Sequence, residues 1–250
     1  MDGESAPIMI TRDDPVAVAL VLAVHGGDLD TIARLLAEHP GLAQANFVTP
    51  DGGSRTSLHM VTDWPGYFPR GPEVVTLLIS AGADPNTPTS GPDGFTETPL
   101  HWAASSDDAD VAAALIDGSA DVEARGGSIA GSTPLANAVG YGCWQVAQLL
   151  VRRGALVGSL WEASALGDRP RVDELLGADP PPTAADINEA FWQACHGGQR
   201  RMAEHLLARG ADINATPDYA SETPLQVAAQ PDTQRQALAV WLREHGATGA

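Results

Sequence analysis

The sequence predicts an all-α solenoid of about seven helix–turn–helix units with hairpin-like loops, and three observations predict it. Four segments open a helix in the same way: Thr56-Ser57-Leu58-His59, Thr98-Pro99-Leu100-His101, Thr133-Pro134-Leu135-Ala136 and Thr223-Pro224-Leu225-Gln226. Thr caps a helix N-terminus well, and Pro is tolerated at the first helical position, where its missing N–H is not needed. A second apolar stretch follows each of the first three openings, at Val74–Leu78, Val111–Leu115 and Val146–Leu150. Gly- or Ser-led stops then recur at Gly82-Ala83, Ser119-Ala120, Gly154-Ala155, Gly210-Ala211 and Gly246-Ala247, with their alanines 37, 35, 56 and 36 residues apart. Gly just past a helix end is the expected left-handed cap.

The elements follow in order as approximate units 16–45, 51–86, 93–122, 128–157, 158–179, 186–214 and 219–248, within one domain spanning 1–250. The first unit rests on Val18–Glu38, with Gly27-Asp28 at its turn and Leu35-Leu36 closing its second helix. The interval of 56 residues holds two degenerate units, with Gly167-Asp168 at one turn and Gly198 at the other. Between them, Ala178–Ala184 is too Pro-rich for a helix and is expected to form a distorted hairpin. Trp161 and Trp192 are expected to fill the His slot of the two degenerate units, and Trp241 a core position.

A period near 33–37 residues with T-P-L-H opening the units resembles the ankyrin-repeat family over nearly the whole chain. The resemblance implies binding through a concave groove made of hairpin tips and first-helix ends. Carried over position by position, the tips are Arg55, Glu97, Ser132 and Glu222, with Asn188 equivalent in a degenerate unit. The first-helix ends contribute His25, Asp63, Trp64, Ser105, Ser106, Tyr141 and His196. The family resemblance also assigns His59 and His101 a structural, hydrogen-bonding role.

Composition narrows the function classes. The chain has 32 acidic residues, 14 basic ones, all Arg, and a net charge of −18. Such a balance disfavours nucleic acid, whose phosphates are bound by clustered cations. Residues 1–125 hold 19 Asp and Glu against five Arg, so a basic partner would be steered to that half. The absence of Lys fits a high-GC bacterial gene. The N-terminal MDGESAPIMI is acidic, unlike a secretory leader, and the apolar run Ala17–Val24 is too short to span a bilayer, so a cytoplasmic protein is expected.

Motifs of cofactor chemistry are weak. Gly126-Gly127-Ser128-Ile129-Ala130-Gly131-Ser132-Thr133 resembles a phosphate-binding loop, but Ser132 stands where its Lys belongs, and a widened hairpin tip is the simpler reading. Cys143 and Cys195 are too few for a zinc site, and Cys195 takes the small-residue core slot of its repeat. No cofactor and no metal are expected.

One departure from the repeat draws attention to a site. Eighteen residues separate Thr56 from Val74, against 13 from Thr98 to Val111. The surplus falls in the aromatic, Pro-stiffened segment 63–72, which can present Trp64, Tyr67 and Phe68 at the groove edge or fold them back. These residues predict a non-catalytic scaffold for a protein or peptide. The alternative is a small-molecule pocket, or a metal-independent acid–base enzyme using His25, Asp63 and Glu97 beneath the 63–72 loop.

Overall fold

The computed structural model describes residues 8–92, 94–230 and 233–249. The acidic residues 1–7, positions 231–232 in the last expected unit and the boundary at residue 93 lie outside them. Two compact units divide the chain, one ending at Ala155 and the other beginning at Leu156.

In the first unit the helices come in consecutive pairs: α1 (Pro15–Gly26) with α2 (Leu29–Glu38), α3 (Ser57–Val61) with α4 (Gly71–Ser80), α5 (Pro99–Ser105) with α6 (Ala109–Asp117), and α7 (Pro134–Gly140) with α8 (Trp144–Arg152). First helices pack in the succession α1–α3–α5–α7, and second helices in the succession α2–α4–α6–α8. Between these layers Leu20, Leu58, Leu78, Leu100, Leu115, Leu135 and Leu150 are completely buried. Each such leucine contributes roughly 1.5–3 kcal/mol relative to an exposed one.

The turns of the α1–α2 and α5–α6 pairs share one local logic. A residue in the left-handed region ends the first helix, and the next residue caps the second. Gly27 at φ 64° is followed by Asp28, whose carboxylate accepts from the Thr31 N–H at 3.0 Å. Asp107 at φ 57° is followed by Asp108, which accepts from the Val111 N–H at 3.1 Å. The second helices α4 and α6 end alike: Ala83 N–H donates to the Leu78 carbonyl and Gly82 N–H to the Ile79 carbonyl, and the same pair of bonds recurs at Ala120 and Ser119. These bonds satisfy the carbonyls that a helix C-terminus leaves open.

The all-α expectation needs one correction. A small three-stranded sheet joins β1 (Met9–Ile10), β2 (Asn46–Val48) and β3 (Ser54–Thr56), with β1 parallel and β3 antiparallel to β2. It forms because the 46–56 loop is a true hairpin, anchored by the buried Phe47.

The second unit contains α9 (Leu160–Leu166) with α10 (Arg169–Leu176), α11 (Ala184–His196) with α12 (Arg200–Leu207), and α13 (Pro224–Ala228) with α14 (Thr233–Glu244). Here α11 packs on α9 and α13. Two expectations change. Residues 178–183 form no paired hairpin, because Thr183 starts α11 early through a reciprocal cap with Asp186. In α9 the His slot belongs to Glu162, whose carboxylate accepts from the Ser159 N–H at 2.9 Å, while Trp161 sits one place earlier.

Candidate functional site

The 63–72 insertion is a strap tied at both sides. Its Phe68 ring stacks on His25 from the preceding pair, with centroids 4.0 Å apart and planes within 6°. A Cβ on Gly27 would collide with the Pro69 carbonyl, so the strap lies directly on that turn. On the other side the Tyr67 N–H donates to Asp108 at 2.8 Å, and the Tyr67 hydroxyl donates to the Asp107 carbonyl at 2.6 Å. These bonds hold Tyr67 at φ 57°, a conformation L residues rarely adopt. Burial, then the nearby Asp107 carboxylate, pushes the Tyr67 phenol above its ordinary pKa. Trp64 is left outside, with 85% of its surface exposed.

Beside the strap lies an open concavity of about 320 Å³, lined by Thr62, Asp63, Trp64, Glu97, Trp102, Ser105, Ser106, Ser128 and Tyr141. Six of these are positions that the sequence assigned to a groove. Asp63 pairs with Arg55 at 2.6 Å, both side chains being about three-quarters buried. Glu97 is the hub. Its Oε1 accepts from the Asn137 amide at 2.8 Å and the Ser128 N–H at 2.9 Å, and its Oε2 accepts from the Trp102 indole at 3.1 Å. The Ser128 and Tyr141 hydroxyls meet at 3.2 Å.

Other expected site residues fall elsewhere. His25 Nε2 faces the Met60 carbonyl at 3.1 Å, and His25 is absent from the concavity's lining, so the structure does not bring His25, Asp63 and Glu97 together there. Phe68 packs back on His25 instead of projecting outward. Ser132 offers its carbonyl to His101 rather than its side chain to the concavity. Asn188 lies inside α11 because of the early Thr183 cap, and there it accepts from the Asp212 N–H at 2.8 Å. His196 belongs to the second unit, where its ring stacks on Trp192 at 5.3 Å. Glu222 also belongs to that unit and accepts from the Gln230 amide. Sequence reasoning missed Ser128, Trp102 and Asn137 as parts of the site: the 126–132 loop brings Ser128 to Glu97, Asn137 reaches it from α7, and the Trp102 indole turns back to it from α5.

Residues 68–159 match the family model for ankyrin repeats (3 copies). That stretch of the chain carries ankyrin repeats. No curated protein matches the chain.

The helix openings explain why His59 and His101 are not free to act. The Thr56 N–H can only donate, so His59 Nδ1 must accept from it at 3.1 Å and the ring proton sits on Nε2. Nε2 then donates to the Glu97 carbonyl at 3.0 Å, which ties one repeat to the next. His101 repeats the arrangement with Thr98 and the Ser132 carbonyl. Burial, only partly offset by the bond to Glu97, lowers the His59 pKa to about 4, and burial lowers that of His101 too. Trp192 makes the same bridge with its indole, donating to the Glu222 carbonyl at 2.8 Å.

The 126–133 loop does not cradle a phosphate. Its amides are already committed: Gly127 N–H to the Ser132 carbonyl, Ser128 N–H to Glu97, and Ile129 N–H to Asn137. A carboxylate occupies the place an anion would need. Cys143 is equally unsuited to chemistry, because burial pushes its thiol up to about 11; Cys195 is completely buried and shifted the same way. Among the described residues no group of His, Cys, Asp and Glu could hold a metal ion, and no helix is long and apolar enough to cross a membrane.

Proposed function

We propose that this ankyrin-repeat protein is a non-catalytic scaffold that binds a protein or peptide in the concavity beside the 63–72 strap. The observation that carries the reading is the combination of a braced strap with an outward Trp64. Phe68 and Tyr67 are tied to the neighbouring pairs, while Trp64, 85% exposed, stands at the rim of a preformed concavity. A large ring held ready on a rigid support is what an interaction hot spot requires, since little ordering is left to do on binding. Ankyrin repeats generally serve as protein–protein interaction modules, which supports the same reading. About seven repeat units, with a groove along the first-helix ends of those that precede Leu156, belong to this proposal.

A small-molecule ligand is the second reading, favoured by one observation. A volume of about 320 Å³ falls at the lower end of small-ligand pockets. Selection of a random peptide library against the whole chain, with counter-selection on a Trp64→Ala/Tyr141→Ala variant, separates the two. The scaffold reading expects peptides that the variant no longer retains. Enrichment of none, or retention by both proteins alike, contradicts it.

A further inference from the structure

We propose that the concavity seats one cationic side chain, arginine or lysine, of the bound peptide. The inference rests on the peptide-binding reading and adds the chemistry of the anchor.

The hydrogen-bonding inventory of the lining carries it. Three of the five hydroxyl protons in the lining are turned away from a ligand: Thr62 donates to the His59 carbonyl, Ser105 to that of His101, and Ser106 to that of Trp102, while the Ser128 and Tyr141 hydroxyls share one bond with each other. The Trp102 indole N–H, the Asn137 amide and the Ser128 N–H are all directed at Glu97. What the lining offers a ligand is therefore mainly oxygen lone pairs. A carboxylate has about four acceptor positions, and the three donors above leave one on Glu97 Oε2. A ligand that fits such a surface is rich in donors.

Charge points the same way. Two carboxylates line the concavity, and Arg55 pairs with Asp63. The three groups bonded to Glu97 are all neutral, so Glu97 leaves one unit of negative charge uncompensated by any of its bonding partners. Three aromatic rings, Trp64, Trp102 and Tyr141, share the lining, and the face of an aromatic ring attracts a cation. The surrounding half of the chain, with 19 acidic residues against five Arg, draws such a ligand in. Size fits one long side chain. A single helical turn with its side chains occupies roughly 400–600 Å³, more than the 320 Å³ present.

The test uses the peptides recovered from the library against the whole chain. Arg or Lys is expected at one fixed position of every peptide that depends on Trp64. Replacing that arginine by citrulline, which keeps the shape and removes the charge, is expected to weaken binding about tenfold or more at low salt. The difference should narrow as salt rises. Asp63→Asn and Glu97→Gln, each checked for an unchanged thermal melt, should weaken the arginine peptide more than the citrulline one. If only Glu97→Gln disturbs folding, Asp63→Asn decides. Trp64-dependent peptides that have no fixed cation, or bind equally with citrulline, overturn this inference and leave the groove reading intact. Recovery of no Trp64-dependent peptide overturns both.

Discussion

Asn137 donates its side-chain amide to Glu97 at 2.8 Å, joining α7 to the loop that precedes α5 across 40 residues of sequence. The same amide oxygen accepts from the Ile129 N–H, and Asn137 is completely buried. One side chain thus fixes the hub carboxylate and the 126–132 loop together. Asn137→Ala leaves the Ile129 N–H without its acceptor and takes one of three donors from Glu97, and a loss of about 2–3 kcal/mol is expected. Urea denaturation measures it, and hydrogen exchange at Ser128 should accelerate in parallel. Unchanged exchange at Ser128 would contradict the shared role.

His59 makes stability pH-dependent with a definite sign. Above pH 6.5, the ordinary value, the ring is neutral in both the folded and unfolded chain. Between 6.5 and about 4 the unfolded chain takes up a proton that the folded chain refuses, so stability falls as pH falls. For this fully buried ring the loss amounts to about 3 kcal/mol. Gln226 shows the substitute, since its side chain accepts from the Thr223 N–H at 2.7 Å in the same slot. His59→Gln should therefore keep the cap and flatten the acid limb of stability, read from urea midpoints between pH 7 and 4.5. An equally steep limb in the variant would refute the assignment.

Ser119 occupies a left-handed position, φ 74°, where Gly82, Gly154, Gly210 and Gly246 serve the other repeats. It is exposed, and the neighbouring bonds from Ser119 and Ala120 are made by backbone alone. Ser119→Gly should stabilise the chain by about 0.5–1 kcal/mol, seen as a higher melting temperature.

The strap predicts the opposite result at another glycine. Gly27 has φ 64°, and a side chain there meets the Pro69 carbonyl. Gly27→Ala should cost about 2 kcal/mol or more and release Phe68 from His25. Limited proteolysis within 63–72 reports the release, and wild-type resistance in the variant would argue against a tied strap.

Helix openings and stops were legible in the sequence because each depends on residues within one turn, as with Thr98, Pro99 and Gly82. The candidate site was legible only in part. Asp63, Trp64, Glu97, Ser105, Ser106 and Tyr141 share a concavity because repeat register carries them there. The fate of the strap's rings was not legible, since Phe68 and Tyr67 are decided by His25 and Asp107, each about 40 residues away. Asn188 misled because its register is right but the Thr183 cap makes its surroundings helical. Trp161 misled by a single position, next to a Glu162 that performs the same capping task with a carboxylate.

The most direct test follows the indole N–H signals of Trp64 and Trp102 by nuclear magnetic resonance while a library-derived peptide is titrated into the isotope-labelled chain. The proposal predicts that both signals and the Ser128 amide shift together, saturating at one peptide per chain. Silent Trp64 and Trp102 signals alongside a shifting Trp241 would place binding elsewhere and contradict it.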